Sequence, residues 1–261
     1  MNAKIRYLYH SGFAVQTAAH FLIFDYWVKR PKGKGLESGV IDPAALKEDN
    51  VIVFASHSHR DHYNSDILGW NAVIPNLRLV LSDDIRIRQG EYLTAGHDIA
   101  DPAENDAERG AMNGIIMAGP GEKISQPDFT VETLISNDEG VAFVVNVDGL
   151  CVYHAGDLNW WHWEGEPDDY NDGMANSYKA QISLLQGKRI DLAFVPVDPR
   201  LEEQYAWGIN HLMQAADVRR VVPMHFGKKV SVVDRLLLDE ASAGYRERIV
   251  KLTERGAVAE I

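Results

Sequence analysis

The feature that most constrains this chain is the unbroken apolar run Val51-Ile52-Val53-Phe54-Ala55, with His57-Ser58-His59-Arg60-Asp61-His62 starting two residues beyond its end. An apolar run without alternation reads as a strand buried on both faces, which requires other layers on either side of its sheet. The polar cluster therefore stands where a buried strand surfaces. In extended backbone, residues two apart point the same way, so His57 and His59 can present imidazoles to one metal, with Asp61 and His62 facing a neighbouring point from the following turn. Imidazole and carboxylate donors suit zinc, iron or manganese, and mixed sets commonly keep a position open for water. A polar loop with capping histidines is the plainer reading of any one of these residues. Three histidines and an aspartate within six residues favour the metal.

The pattern elsewhere extends the picture. Ile5–Tyr9, Phe13–Thr17 and Phe21–Phe24 read as short strands of an antiparallel meander, and a short helix starts at Asp42-Pro43. Leu77–Leu81, Gly114–Met117, Phe129–Ile135, Gly140–Val147 and Leu150–His154 follow as strands, with Asp148-Gly149 as a two-residue hairpin turn. Ser82 or Asp83 is placed to cap a helix after Leu81, while the polar stretch between Glu91 and Asn113 gives no clear signal. Met174–Gly187 has helical spacing, Asp191–Val197 and Arg219–Pro223 read as strands, and Asn210–Ala216 as a short helix. A final helix is expected broadly over Val230–Lys251, before a β-like Ala257–Ile261. Meanders first and strand–helix alternation later predict an α/β (α+β) protein of two packed sheets with helices outside.

Composition narrows the function. A net charge of −12, with no basic patch beyond the pairs Lys228-Lys229 and Arg219-Arg220, disfavours nucleic acid as a partner and leaves a small-molecule substrate. The single cysteine, Cys151, excludes an internal disulfide and any cysteine-based zinc site, so a metal must use histidine and carboxylate. No stretch is long and apolar enough for a membrane span, and Met1–Tyr7 lacks a signal-peptide core, so a cytoplasmic enzyme without membrane attachment is expected. At 261 residues one sizeable core is the simpler expectation.

The sequence His57-x-His59-x-Asp61-His62 resembles the signature of the metallo-β-lactamase superfamily. His10-Ser11-Gly12-Phe13, Phe24-Asp25, Tyr153-His154-Ala155-Gly156-Asp157 and Pro223-Met224-His225-Phe226 recur in the same order in its branch of small stand-alone hydrolases, so the likeness covers residues 7 to 227. The resemblance implies that residues 1–261 form a single hydrolase domain, an αββα sandwich with metals at one edge. It implies that His57 and His59 bind a first metal, that Asp61, His62 and His225 bind a second, and that Asp157 bridges both. Zinc is the expected ion, one or two per chain, with manganese or iron as alternatives. Asp25 would orient ligand imidazoles from behind through hydrogen bonds, and His154 would be structural or share that role.

One departure matters. Family members usually carry a third histidine on the first metal, where this chain reads Ser136-Asn137-Asp138-Glu139-Gly140. Asp138 could substitute as an oxygen ligand, or the segment is an ordinary turn. In the run Trp160-Trp161-His162-Trp163, the residues Trp160 and Trp161 wall a substrate pocket, form a subunit contact or pack on the body. Arg200 either meets an anionic substrate group or closes a salt bridge. His97, His162 and His211 read as surface or packing residues. The implied chemistry is attack by a metal-bound hydroxide, oriented by Asp61 as the catalytic residue, on a small ester, lactone or phosphodiester. The competing reading is a degenerate domain that binds metal or ligand without turnover. Redox di-iron chemistry is disfavoured, since relatives that perform it generally carry an acidic residue in place of His59.

Overall fold

The computed structural model describes residues 3–28, 32–87 and 114–261. The chain divides into two compact units, an N-terminal one of Asn2–Gly119 with Glu254–Ile261 and a C-terminal one of Pro120–Thr253. Each is organised round its own sheet.

In the N-terminal unit the strands are β1 (Lys4–Tyr9), β2 (Gly12–Gln16), β3 (His20–Phe24), β4 (Asn50–Ala55), β5 (Leu77–Ser82) and β6 (Ile115–Ala118). The sheet runs from the C-terminal strand Val258–Glu260 through β1 to β6 in sequence order. Pairing is antiparallel as far as β3 and parallel from β3 to β6. The meander is as expected, and β4 is buried on both faces. Val51, Val53 and Ala55 join Leu8, Ile23, Leu79, Leu81 and Trp70 in one core cluster, while Ile52 and Phe54 on the opposite face are equally inaccessible. Each such side chain contributes roughly 1.5–3 kcal/mol of transfer free energy, so the register of β4 is strongly specified. The short helix forms as a 3₁₀ turn, Pro43–Leu46, where the Asp42 side chain accepts from the Ala44 amide. A second 3₁₀ segment, Ser65–Ala72, capped by Asn64, has no clear periodic signal in the sequence. After β5 the chain turns through Asp83-Asp84. The polar stretch between Glu91 and Asn113, His97 included, lies outside the described residues.

The C-terminal unit holds β7 (Lys123–Ser125), β8 (Phe129–Ile135), β9 (Val141–Val147), β10 (Leu150–His154), β11 (Arg189–Ile190), β12 (Leu192–Pro196), β13 (Asp217–Val218) and β14 (Val221–Met224). Its main sheet has the order β14-β12-β10-β9-β8-β7, antiparallel from β7 to β10 and parallel from β10 to β14, with β11 and β13 as a separate parallel pair. Asp148 and Gly149 both have positive φ (51° and 75°), the backbone of a type I′ turn, which sets the β9–β10 register. The helices are α1 (Asp168–Ser183), α2 (Trp207–Ala215) and α3 (Ser231–Leu238). The first two begin earlier than their apolar spacing suggests, α1 because two acidic residues occupy its first turn and favour its positive end. The expected last helix stops at Leu238. Asp239 is extended (ψ 132°), accepts from the Ala241 amide and starts a new 3₁₀ turn, so the remainder runs as turns. Among the described residues no helix is long and apolar enough to cross a membrane.

Candidate metal centre

The N-terminal unit gathers its polar residues at one sheet edge. Strand pairing aligns Tyr7, Phe13, Phe24 and Phe54 in a row across β1 to β4, and just beyond that row stand His10, Asp25 and Ser56-His57, the last three fully buried. Asp25 is fully buried with φ 45°, a left-handed backbone that a non-glycine residue adopts at a cost of about 1–2 kcal/mol. It accepts from the Ser56 amide at 2.8 Å, from the Ser56 hydroxyl at 2.8 Å, and pairs with His62 Nδ1 at 2.7 Å. Because a carboxylate only accepts, His62 carries its proton on Nδ1 and offers the Nε2 lone pair. The same logic runs one step further. With its own proton committed to Asp25, the Ser56 hydroxyl accepts from His57 Nδ1 at 3.0 Å, leaving Nε2 of His57 as a lone-pair donor.

His57 Nε2 lies 3.0 Å from His59 Nδ1, and His10 Nε2 lies 3.3 Å from Asp61 Oδ2. For metal–ligand bonds of roughly 2.0–2.1 Å, two tetrahedral donors stand about 3.3 Å apart, so these spacings fit donors to a common ion. The ligand atoms of His10, Asp61 and His62 all fall within 4.8 Å of one another. The turn itself is tied: His62 and Tyr63 amides donate to the His59 carbonyl, and Asp84 accepts from the Ser58 amide at 2.8 Å. His10 is the main influence on Asp61, holding its carboxyl well below the usual range against the opposing effect of burial.

The C-terminal unit repeats the arrangement. Asp157, Asp198 and His225 follow the ends of the parallel strands β10, β12 and β14, the edge where open parallel sheets place their sites. His225 has φ 65° and lies between two carboxylates, with Nδ1 2.9 Å from Asp198 Oδ2 and Nε2 3.3 Å from Asp157 Oδ1. Burial opposes charge on His225, yet Asp157 and Asp198 raise it to about 10. Burial would raise Asp198, but hydrogen bonds with His225 and Arg200 lower it to about 2. As Asp25 does for His62, Asp198 holds Nδ1 and turns Nε2 toward the ligand side. A metal would take the place of the proton now shared with Asp157.

The turn carrying Asp138 connects β8 to β9 at this same edge. Asp138 is exposed, its amide donates to Ser136 Oγ at 3.2 Å, and a carboxylate oxygen lies within 4.8 Å of one from Asp157. His154 is buried and its Nδ1 accepts from the Gly156 amide at 3.2 Å, so it shapes the turn before Asp157. Trp161 is 5% exposed, donates from Nε1 to the Asp157 carbonyl at 2.9 Å and meets the His225 ring edge-on at 5.7 Å. Trp160 is half-buried and lines a cleft of about 290 Å³ with Trp207, Asn210, His211 and Gln214. His162 packs on Trp207, and His211 lies near Trp160. Arg200 is bound through Nε and a terminal nitrogen to Asp198, the salt-bridge alternative.

Four participants escaped the sequence reading. Ser56 and Asp198 hydrogen-bond the imidazoles of His57 and His225, Asn137 ties the loop after Asp157 through the Asn159 carbonyl and amide, and His10 stands beside Asp61. Asp198 carried a usable signal, since it follows an apolar strand as Asp25 does.

The fold is the metallo-β-lactamase one. Igni18, a metallo hydrolase from the archaeon Ignicoccus hospitalis, aligns with a TM-score of 0.59 at 16% identity, covering 100% of this chain and 99% of that one. The metallo-β-lactamase fold protein YhfI from Bacillus subtilis aligns with a TM-score of 0.56 at 14% identity, with coverages of 100% and 99%. In sequence, the model of the beta-lactamase superfamily domain matches residues 4–162, and the chain belongs to that family. A metal-dependent hydrolase of Opitutus terrae is 23% identical over 246 residues, 88% of this chain and 87% of that protein.

Proposed function

We propose that the chain is a metal-dependent hydrolase in which His57, His59, Asp61, His62, Asp157 and His225 hold one or two divalent ions. The observation that carries the reading is the repeated donor design. In each unit a buried carboxylate, Asp25 or Asp198, fixes an imidazole so that Nε2 faces outward, and donor pairs stand 3.0–3.3 Å apart. Imidazole-rich sets of this kind suit zinc, with manganese or iron as alternatives. When bound, the ion supplies Lewis acidity toward a carbonyl or phosphoryl oxygen and lowers the pKa of a coordinated water toward neutrality. Asp61, half-exposed and held ionised, accepts a hydrogen bond from the attacking water and orients it. Asp157, with its carbonyl fixed by Trp161, presents its carboxylate from a rigid turn. Asp138 supplies an oxygen donor in place of the family's third histidine, supported by its nearness to Asp157.

The net charge of −12 argues against a nucleic-acid substrate and leaves a small ester, lactone or phosphodiester. The exposure of Asp138 and the lack of histidine in residues 136–140 favour a second reading, a domain that binds metal without turnover. Assaying purified protein against lactone, aryl ester and phosphodiester panels separates the two. Turnover that falls at least a hundredfold in Asp61→Ala while the protein stays folded supports the hydrolase. Metal binding without turnover on any panel supports the second reading.

A further inference from the structure

His10 is not among the metal ligands of the reading above. We propose that His10 is itself a metal ligand, a third donor beside Asp61 and His62 in the N-terminal unit. The assignment rests on the reading that this chain holds a metal there.

Topology brings the residue to the right edge. With β2 antiparallel to both β1 and β3, the β1–β2 turn emerges on the side where Asp25 and His57 emerge. The turn is tight: a Cβ on Gly12 would stand 2.9 Å from the Asp25 carbonyl oxygen and 3.0 Å from that of Tyr9. His10 takes φ 58°, and its amide donates to the Tyr7 hydroxyl at 2.8 Å. Glycine or asparagine would occupy such a backbone at least as readily as histidine.

The side chain points the same way. It is 13% exposed, its Nε2 lies 3.3 Å from Asp61 Oδ2, and its ligand atom falls within 4.8 Å of those of Asp61 and His62. Its ring meets that of His62 edge-on at 5.9 Å. The separation from Asp61 suits a pair of donors to one ion. A hydrogen bond from imidazole to a carboxylate runs at about 2.7–2.9 Å, as between His62 and Asp25 at 2.7 Å in the same unit. The 3.3 Å spacing between His10 and Asp61 is longer than this and matches the edge of a tetrahedron of donors about a cation. Of the five non-glycine residues with positive φ among the described residues, His10, Asp25 and His225 stand at polar sheet ends, while Asp148 belongs to a hairpin turn and Glu202 to a 3₁₀ segment.

The test loads the full chain with cobalt(II) and counts the hyperfine-shifted imidazole N–H protons by NMR, one for each coordinated histidine, alongside cobalt affinity by competition. His10→Asn tolerates the left-handed backbone and His10→Gly removes its strain, so both variants should fold, which circular dichroism of the metal-free proteins checks. The expected result is one signal fewer in both variants and affinity lower by about a hundredfold. An unchanged signal count, with or without weaker binding, overturns the assignment but leaves the metal reading intact. A wild-type chain that takes up no cobalt overturns both.

Discussion

At the residue scale, the site depends on carboxylates that never face the ligand. Asp25 satisfies the Ser56 amide and hydroxyl and the His62 imidazole together, so Asp25→Asn leaves buried partners mismatched. We expect a loss of about 3 kcal/mol in denaturant unfolding, with metal affinity lower by roughly 10–100-fold. His225 gives a pH prediction with a definite sign. Its folded value of about 10 exceeds the ordinary 6.5, so in metal-free protein its pairing contributes stability fully present below about pH 6.5 and lost as pH rises through about 10. Metal needs the neutral ring, so uptake at pH 7 should release about one proton from His225. Calorimetry in buffers of differing ionisation enthalpy measures this release, which should shrink in His225→Gln. Equal release from both proteins would contradict the assignment. At this scale His57 to His62 were legible because their residue types converge within six positions. Ser56 was not, because a serine after a strand looks the same whether it caps a turn or steers an imidazole, and Asp198 offered only its place after an apolar strand.

At the element scale, strands were easier to read than helices. Unbroken apolar runs such as β4 and the type I′ dipeptide Asp148-Gly149 are short-range signals that tertiary packing reinforces. The segment after Ser231 looked helical through Lys251 because apolar spacing continues, but Asp239 competes for a local cap and ends α3. Helix α2 also shows how an element supports the loop behind Asp157. A Cβ on Gly208 would lie 1.9 Å from the Asn159 amide oxygen, and its carbonyl accepts from the Tyr178 hydroxyl at 2.7 Å. Gly208→Ala should therefore destabilise the protein by about 1–3 kcal/mol in chemical denaturation, despite alanine's better helix propensity. A neutral or stabilising outcome would show that this packing is loose.

At the scale of the whole molecule, the order of motifs from His10 to Phe226 exposed the superfamily, and the family match over residues 4–162 includes His57 to His62 and Asp157. What the order could not expose is whether Asp138 serves in place of the missing histidine, because it sits in a sequence that any turn could use. The central claim is that these donors hold a catalytic metal, and the most direct measurement is metal stoichiometry by elemental analysis, followed by hydrolysis before chelation, after it and after zinc or manganese is restored. The expected result is one or two ions per chain, turnover abolished by chelation and recovered on re-addition, and neither binding nor recovery in a His57→Ala/His59→Ala variant that remains folded. A chain that takes up no metal, or that hydrolyses its substrate equally well after complete metal removal, would contradict it.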